Sequence, residues 1–455
     1  MWRRIRSQSL PETARLTDHK KNMDPTIIPR DQHSISRKHI SQGALKVIAR
    51  LRAAGYEAYL VGGGVRDLLL GGHPKDFDVA TNALPEQIRE IFRSSRIIGR
   101  RFKIVHVRFG GETIEVTTFR GDHTQDNEIS AQHAARNEDG MLLRDNVYGT
   151  MAEDAIRRDF TINALYYTTE NFAVYDYTGG MQDLENRQIR IIGDASTRYR
   201  EDPVRMLRAA RFAAKLDFTI EETTAAPMHE LAHLLGNVPP ARMFDEVLKL
   251  FMAGHGLATY RQLCEHELFA PLFPATAAAI EAGQPAAEAL IEQALRNTDE
   301  RIAQDKPVTP AFIYSALLWP ALQSELNALI AQGIPETAAR QQAAQTTIDW
   351  QLQHTGIPRR FSQPMREIWD LQSRLQRRDT RRIASLLEHP RLRAAYDFLL
   401  LREQAGEIVG EAGAWWTEFL AAEEDQRGHL LRQATPRNSN NNARRRRPRK
   451  PRIES

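Results

Sequence analysis

Apolar positions at helical spacing begin only after Ser41, a residue suited to cap a helix, and the pattern predicts that helix over Ala44 to Ala54, with Gly55 ending it. The forty residues before it show no period and read as a flexible leader. Next come short apolar or alternating runs of strand length, at Glu57 to Val61, Phe77 to Val79, Lys103 to Phe109 and Thr113 to Phe119. From Gly121 to Gly140 the chain is polar with almost nothing to bury, which predicts a mobile loop. After Glu153 the spacing turns helical and stays so to about Arg432, broken at Gly179-Gly180, Gly193, Pro239-Pro240, Gly254, Pro271, Gly333 and Pro358. The expected class is α+β: a leader over 1–40, a small mixed-sheet head over 41–190, a helical neck over 191–255, a helical body over 256–432, and a disordered Arg-rich tail over 433–455.

Composition sharpens this picture. At 455 residues, 42% hydrophobic and 26% charged, the chain is globular in type and long enough for several domains. The single cysteine, Cys264, rules out an intrachain disulfide or a Cys-rich zinc site and suits a reducing, cytoplasmic setting. No apolar run approaches membrane-spanning length. Charge is segregated: nine Lys/Arg oppose one Glu from Arg432 to Ser455, and nine oppose four acids from Met1 to Ile40. Since the whole chain carries +4, the middle is at −9, so the basic character belongs to the two ends. Basic ends without an amphipathic anchor point to nucleic acid rather than membrane.

The chemistry clusters in the head and neck. In Asp76-Phe77-Asp78-Val79 a strand would turn both carboxylates to one face about 7 Å apart while Phe77 and Val79 enter the core. Two such acids repel unless a cation lies between them, and a magnesium pair about 4 Å apart is the usual answer in phosphoryl transfer. Taken alone, the tripeptide also fits a solvated strand edge. Upstream, Gly62-Gly63-Gly64 closes a strand and opens a helix carrying Arg66 and Asp67, a turn whose free N–H groups can cradle phosphate. It matches neither the dinucleotide fingerprint nor the nucleotide-triphosphatase loop. Downstream, Glu115 alternates away from Ile114 and Val116, offering a third carboxylate able to bind metal or accept a proton.

Two further motifs are expected on helices. Asp159 and Asn163, four apart, would share a face suited to a ribose, with Arg157 near phosphate. At Glu201-Asp202-Pro203, Asp202 would cap a helix bearing Arg205 and Arg208, and an Asp–Arg pair can read a base edge without a template. A capped, solvated helix is the plainer meaning of either pattern in isolation.

In this order and at these separations, the motifs from about Ser41 to Ala270 resemble those of the class II nucleotidyltransferases. That branch of the polymerase-β superfamily holds the bacterial poly(A) polymerases and the tRNA CCA-adding enzymes. The resemblance implies Asp76, Asp78 and Asp159 as catalytic residues, and Asp76, Asp78 and Glu115 as ligands of two Mg2+ ions, with Mn2+ as a substitute. It further implies Asp159 and Asn163 as ribose and active-site contacts, and Asp202 with Arg205 as the base-reading pair. The segment Ile97 to Val107 resembles the signature that marks poly(A) polymerases among these proteins. His-Asp never occurs as a dipeptide, which leaves the phosphohydrolase domain of some CCA-adding enzymes unsupported. The implied activity is template-independent addition of AMP from ATP to RNA 3′ ends, with RNA-chaperone or degradation-complex proteins as further partners. The alternatives are CCA addition, sugar-nucleotide transfer and a catalytically silent RNA-binding protein.

Arg444, Arg445, Arg446, Arg447, Arg449, Lys450 and Arg452 come without an aromatic neighbour, so they offer phosphates charge but cannot stack on bases. If roughly four to six engage RNA together, deleting Arg444 to Ser455 lowers the salt slope of oligo(A) binding by about 3–4 log units per decade, at ~0.7 per phosphate. A salt titration of full-length and truncated protein checks this; parallel lines would remove the tail from RNA binding.

Overall fold

The computed structural model describes residues 24–99, 103–121, 134–136, 142–145, 147–377, 383–407 and 411–434. The chain divides into two compact units, Met1–Pro274 with His354–Gly356, and Ala275–Gln353 with Ile357–Ser455.

The first unit is built on an eight-stranded sheet. Its strands are β1 (Thr26–Ile28), β2 (Ala58–Val61), β3 (Asp78–Thr81), β4 (Ser95–Ile98), β5 (Ile104–Phe109), β6 (Glu112–Thr118), β9 (Leu165–Tyr167) and β10 (Val174–Asp176). The order is β1-β10-β9-β2-β3-β6-β5-β4, and only β3 and β6 run parallel. β7 (Ala134–Arg136) and β8 (Leu142–Asp145) form a separate antiparallel pair. One face of the sheet is covered by the helix Gln42–Ala53, whose Ala44, Val47, Ile48 and Leu51 recur at helical spacing and are buried. The Ser41 hydroxyl caps it by accepting from Ala44 N at 3.0 Å. On the other face the helix Met151–Arg157 lays Met151 and Ala155 over Val61, Ala80, Phe119 and Tyr166.

Two expectations need correction here. Residues 24–40 are ordered: Ile28, Ile35 and Ile40 are buried, and β1 gives the edge strand β10 a partner, so a stretch too short to show a period is fixed by tertiary pairing. Of the polar stretch after Gly121, residues 134–136 pair with β8; the rest, like the first 23 residues and the Arg-rich tail, lies outside the described residues. Head and neck, expected as successive segments, pack within one compact unit. β11 (Gln188–Ile189) pairs in parallel with β12 (Thr219–Ile220) across the expected boundary at 190, and the helix Gly256–Glu265 packs on the neck helix Val204–Leu216.

The second unit is helical, with a core in which Leu371, Leu375, Leu399, Trp416 and Phe419 are fully buried. Trp416 donates its indole N–H to Leu375 O at 2.9 Å. Among the described residues no helix is long and apolar enough to cross a membrane.

A tight approach beneath the sheet's end sets the next chain segment. Asp176 accepts from the backbone N–H groups of Thr178, Gly179 and Gly180 through Oδ1 and of Met181 through Oδ2, satisfying the start of the helix Gly180–Glu185. Gly180 there lies so close to the Thr161 carbonyl that a Cβ would overlap it, while Asp183 accepts from the Thr161 hydroxyl at 2.6 Å. Gly180→Ala is therefore expected to destabilise the first unit by ~1–3 kcal/mol, read by denaturant unfolding. An unchanged midpoint would show that the Thr161 turn yields freely.

Candidate active site

One rung of side chains crosses all eight strands: Ile27, Tyr175, Tyr166, Val61, Asp78, Glu115, His106 and Arg96 are successive register partners. Directly opposed residues share a face, so this row runs from apolar, through two acids, to two basic groups. Asp78 and Glu115 are neighbours because β3 and β6 are parallel and in register; strand spacing puts their backbones about 4.8 Å apart. Asp76 precedes β3 and is exposed, Phe77 and Val79 are buried, and Asp78 is partly covered. The alternation expected from the sequence holds for all four.

The glycines explain how the chain gets past this point. Gly62 has φ +76° and ψ −147°, a region closed to side chains, and a Cβ there would sit 3.2 Å from Asp78 Oδ2. Gly64 approaches the Asp76 carbonyl, with 3.3 Å left for a Cβ. The helix Gly63–Leu69 thus begins against the acids, as the strand–glycine–helix reading expected.

Burial pushes the Asp78 carboxyl up to about 6; Glu115 and Asp76 push the same way, and Arg158 opposes them. Arg158 is a residue the sequence reading passed over in favour of Arg157. Its Nε donates to Tyr166 Oη at 2.9 Å and its Nη2 to Asp154 Oδ2 at 3.1 Å, while the Tyr166 hydroxyl donates to the same Asp154 oxygen at 2.6 Å. Arg157 instead turns its guanidinium to the Gly121 carbonyl. A doublet of arginines gives no local hint of which member faces the acids.

Asp159 and Asn163 do not share a helix. The preceding helix stops at Arg157, Arg158 is extended, and Thr161–Asn163 is a single 3-10 turn. Arg198 fixes this break by donating to the carbonyls of Arg157 and Arg158, both at 2.7 Å. The two side chains nevertheless meet, Asn163 Nδ2 donating to Asp159 Oδ1 at 3.2 Å. They belong to a longer chain of contacts. Lys215 reaches Asp67 Oδ2 at 3.3 Å, and Arg66 donates to Asp67 Oδ1 at 2.6 and 2.8 Å and to Asn163 Oδ1 at 2.7 Å. Arg208 closes the series on Asp159 Oδ2 at 2.5 and 2.8 Å. Burial raises the Asp159 carboxyl, but the charge and hydrogen bonds of Arg208 more than offset it and hold the group well below the carboxylate range. Asp159 is a fixed anion with both oxygens engaged, not a group poised to exchange a proton. Arg66, Arg208 and Arg211 also lie 5.1, 5.2 and 4.6 Å from the Phe212 ring centroid.

The Asp202–Arg205 pair is rearranged. Asp202 ends the helix Ala195–Glu201, and its Oδ2 accepts from Arg242 Nη2 at 2.8 Å. Arg205 Nη1 donates to Glu201 Oε2 at 3.0 Å and to the Arg198 carbonyl at 2.7 Å. Arg242 comes from a different helix, Pro240–Phe251, which no spacing rule connects to Asp202. Among the described residues no group of three or more His, Cys, Asp or Glu side chains is arranged to hold a metal ion by itself.

Over 434 residues, 93% of each chain, the sequence is 51% identical to poly(A) polymerase I of Escherichia coli O6:H1. The chain belongs to the poly(A) polymerase family. The poly(A) polymerase head-domain model matches residues 58–190, which holds Asp76, Asp78, Glu115, Asp159 and Asn163. The models described as the probable RNA and SrmB-binding site of polymerase A and the polymerase A arginine-rich C-terminus match 217–280 and 332–451. A CCA-adding enzyme of Lactobacillus helveticus is 37% identical, but over 50% of this chain and 53% of that one. The solved Thermotoga maritima CCA-adding enzyme complexed with tRNA shares the fold at 20% identity, with a TM-score of 0.56 over 87% of this chain and 85% of that one. The poly(A) polymerase relatives thus match this chain over nearly its whole length, and this CCA-adding enzyme over about half of it.

The crowding at Asp78 has a measurable consequence. A carboxyl raised from 3.8 to about 6 weakens the fold once ionised, because the unfolded chain ionises more readily. Without divalent cations, Asp78→Asn should raise stability by ~1–3 kcal/mol above pH 6, and the gain should fade as pH falls from 6 toward 4. Melting curves across that range, with and without Mg2+, check both the sign and the site: added Mg2+ should lift wild type and not the variant.

Proposed function

We infer that this poly(A) polymerase family member adds AMP from ATP to RNA 3′ hydroxyls, with Asp76, Asp78 and Glu115 at the reacting centre. The single observation that carries the reading is the register that sets Asp78 beside Glu115, next to Asp76, in a partly covered position where their charges oppose one another. The carboxylates of Asp76, Asp78 and Glu115, exposed or partly covered, are hard oxygen donors of the kind that suits Mg2+, which is commonly held by one or two carboxylates plus substrate phosphates. Mn2+ fits the same donors. When bound, the ions would supply charge neutralisation and a lowered pKa for the attacking hydroxyl.

The remaining roles belong to the protein alone. Gly62, Gly63 and Gly64 let the backbone pass close to the acids and present N–H groups where a triphosphate would lie. Arg158 supplies positive charge beside Asp78 without occupying its oxygens. The series Lys215–Asp67–Arg66–Asn163–Asp159–Arg208 holds a preorganised polar wall for ribose and phosphate, in which Asp159 orients Asn163 and Arg208. Asp202 with Arg242 offers a fixed acceptor and donor for a base edge, and Arg205 supports it through Glu201. The basic tail would hold RNA by charge, and a chain with one cysteine suits the reducing cytoplasm.

The test is extension of labelled oligo(A) with each nucleotide supplied separately. ATP should give long tails and CTP none; CTP incorporation into a tRNA end would turn the reading to CCA addition. Asp78→Asn, which keeps volume and removes charge, should cut turnover by about 10³-fold or more with oligo(A) affinity nearly unchanged. Full activity of that variant would remove Asp78 from the reacting centre.

A further inference from the structure

His106 lies in the signature-like segment Ile97 to Val107, which the reading above leaves without a role. It is the register partner of Glu115 on β6, while Arg96 is its own partner on β4, so all three project from the sheet face that carries Asp78. His106 Nε2 lies 3.2 Å from Glu115 Oε1. A carboxylate can only accept, so Nε2 bears the proton and donates. Among the described side chains nothing else bonds Glu115, and its Oε2 remains open.

Stability does not account for the pair. The two side chains are 31% and 47% exposed, and exposed pairs of this kind contribute little to folding. Its effect is on direction. Glu115 has three rotatable torsions and sits beside Asp78, whose charge drives it outward into solvent. A donor fixed on the next strand removes that freedom.

We propose that His106 is a positioning residue for catalysis: by donating to Oε1 it holds the Glu115 side chain on the rung and leaves Oε2 beside Asp78, where the RNA 3′ hydroxyl is to be activated. This rests on the role given to Glu115 above. Groups that orient a carboxylate in this way typically matter 10–100-fold without touching substrate.

The experiment measures kcat, and KM for ATP and oligo(A), in wild type, His106→Leu, His106→Gln, Glu115→Ala and the double variant His106→Leu with Glu115→Ala. His106→Leu should lower kcat about 10-fold or more, with KM for oligo(A) moving less than about 2-fold. His106→Gln, whose amide N–H stands near the place of Nε2, should recover kcat to within about 3-fold of wild type. On the Glu115→Ala background, His106→Leu should cause no further loss, since the group it orients is gone. Equal losses on both backgrounds, a change confined to KM for oligo(A), or a Gln variant as poor as Leu would each overturn the assignment, the second by making His106 an RNA contact. Wild type unable to extend oligo(A) with ATP would fail the functional reading itself; an active wild type with an undiminished His106→Leu fails only this inference. Matching melting curves for wild type and the His106 variants exclude a folding defect as the cause.

Discussion

Two acids held side by side by a parallel strand pair set the terms for the rest of the head. The backbone register of β3 and β6 places Asp78 against Glu115, and neither can withdraw without breaking ladder hydrogen bonds. The fold tolerates the repulsion through what surrounds it: a glycine turn that leaves the oxygens accessible, a guanidinium on the covered side, and an imidazole on the exposed side. The site is thus strained in charge and keeps carboxylate oxygens open, a combination that favours a bound cation over a closed ion pair.

Around that centre the protein spends polar burial on order. Arg66 is 2% exposed and Asn163 6%, yet each is held by oppositely polar neighbours, so the segment after Arg158 is shaped by side chains rather than by a regular helix. The three guanidiniums near Phe212 belong to the same economy of space, the ring face accepting cations that carboxylates alone do not surround.

What the sequence disclosed follows the range of the interactions involved. The exposed and buried alternation of Asp76 to Val79 is a period-2 signal confined to four residues, and it was legible, as was Glu115 between Ile114 and Val116. The helix expected through Asp159 failed because its break is imposed from outside: Arg198, forty residues on, takes the carbonyls of Arg157 and Arg158, and no glycine or proline marks the spot. The partner of Asp202 escaped for the same reason, Arg242 lying on a separate helix. The ordered segment 24–40 was hidden because a three-residue edge strand has no periodicity to detect.

The contact series from Lys215 through Asp67, Arg66, Asn163 and Asp159 to Arg208 also bears on how such a protein can change over generations. Both ends lie on the neck helix and the middle on the head, so the series is a closed loop through the fold. Losing a link at Arg66 or Asn163 strands a buried partner at a cost of ~1–3 kcal/mol, much of a domain's stability margin. Head and neck are therefore bound to a shared mutational history, in which an exchange on one side survives chiefly when the other has already accommodated it.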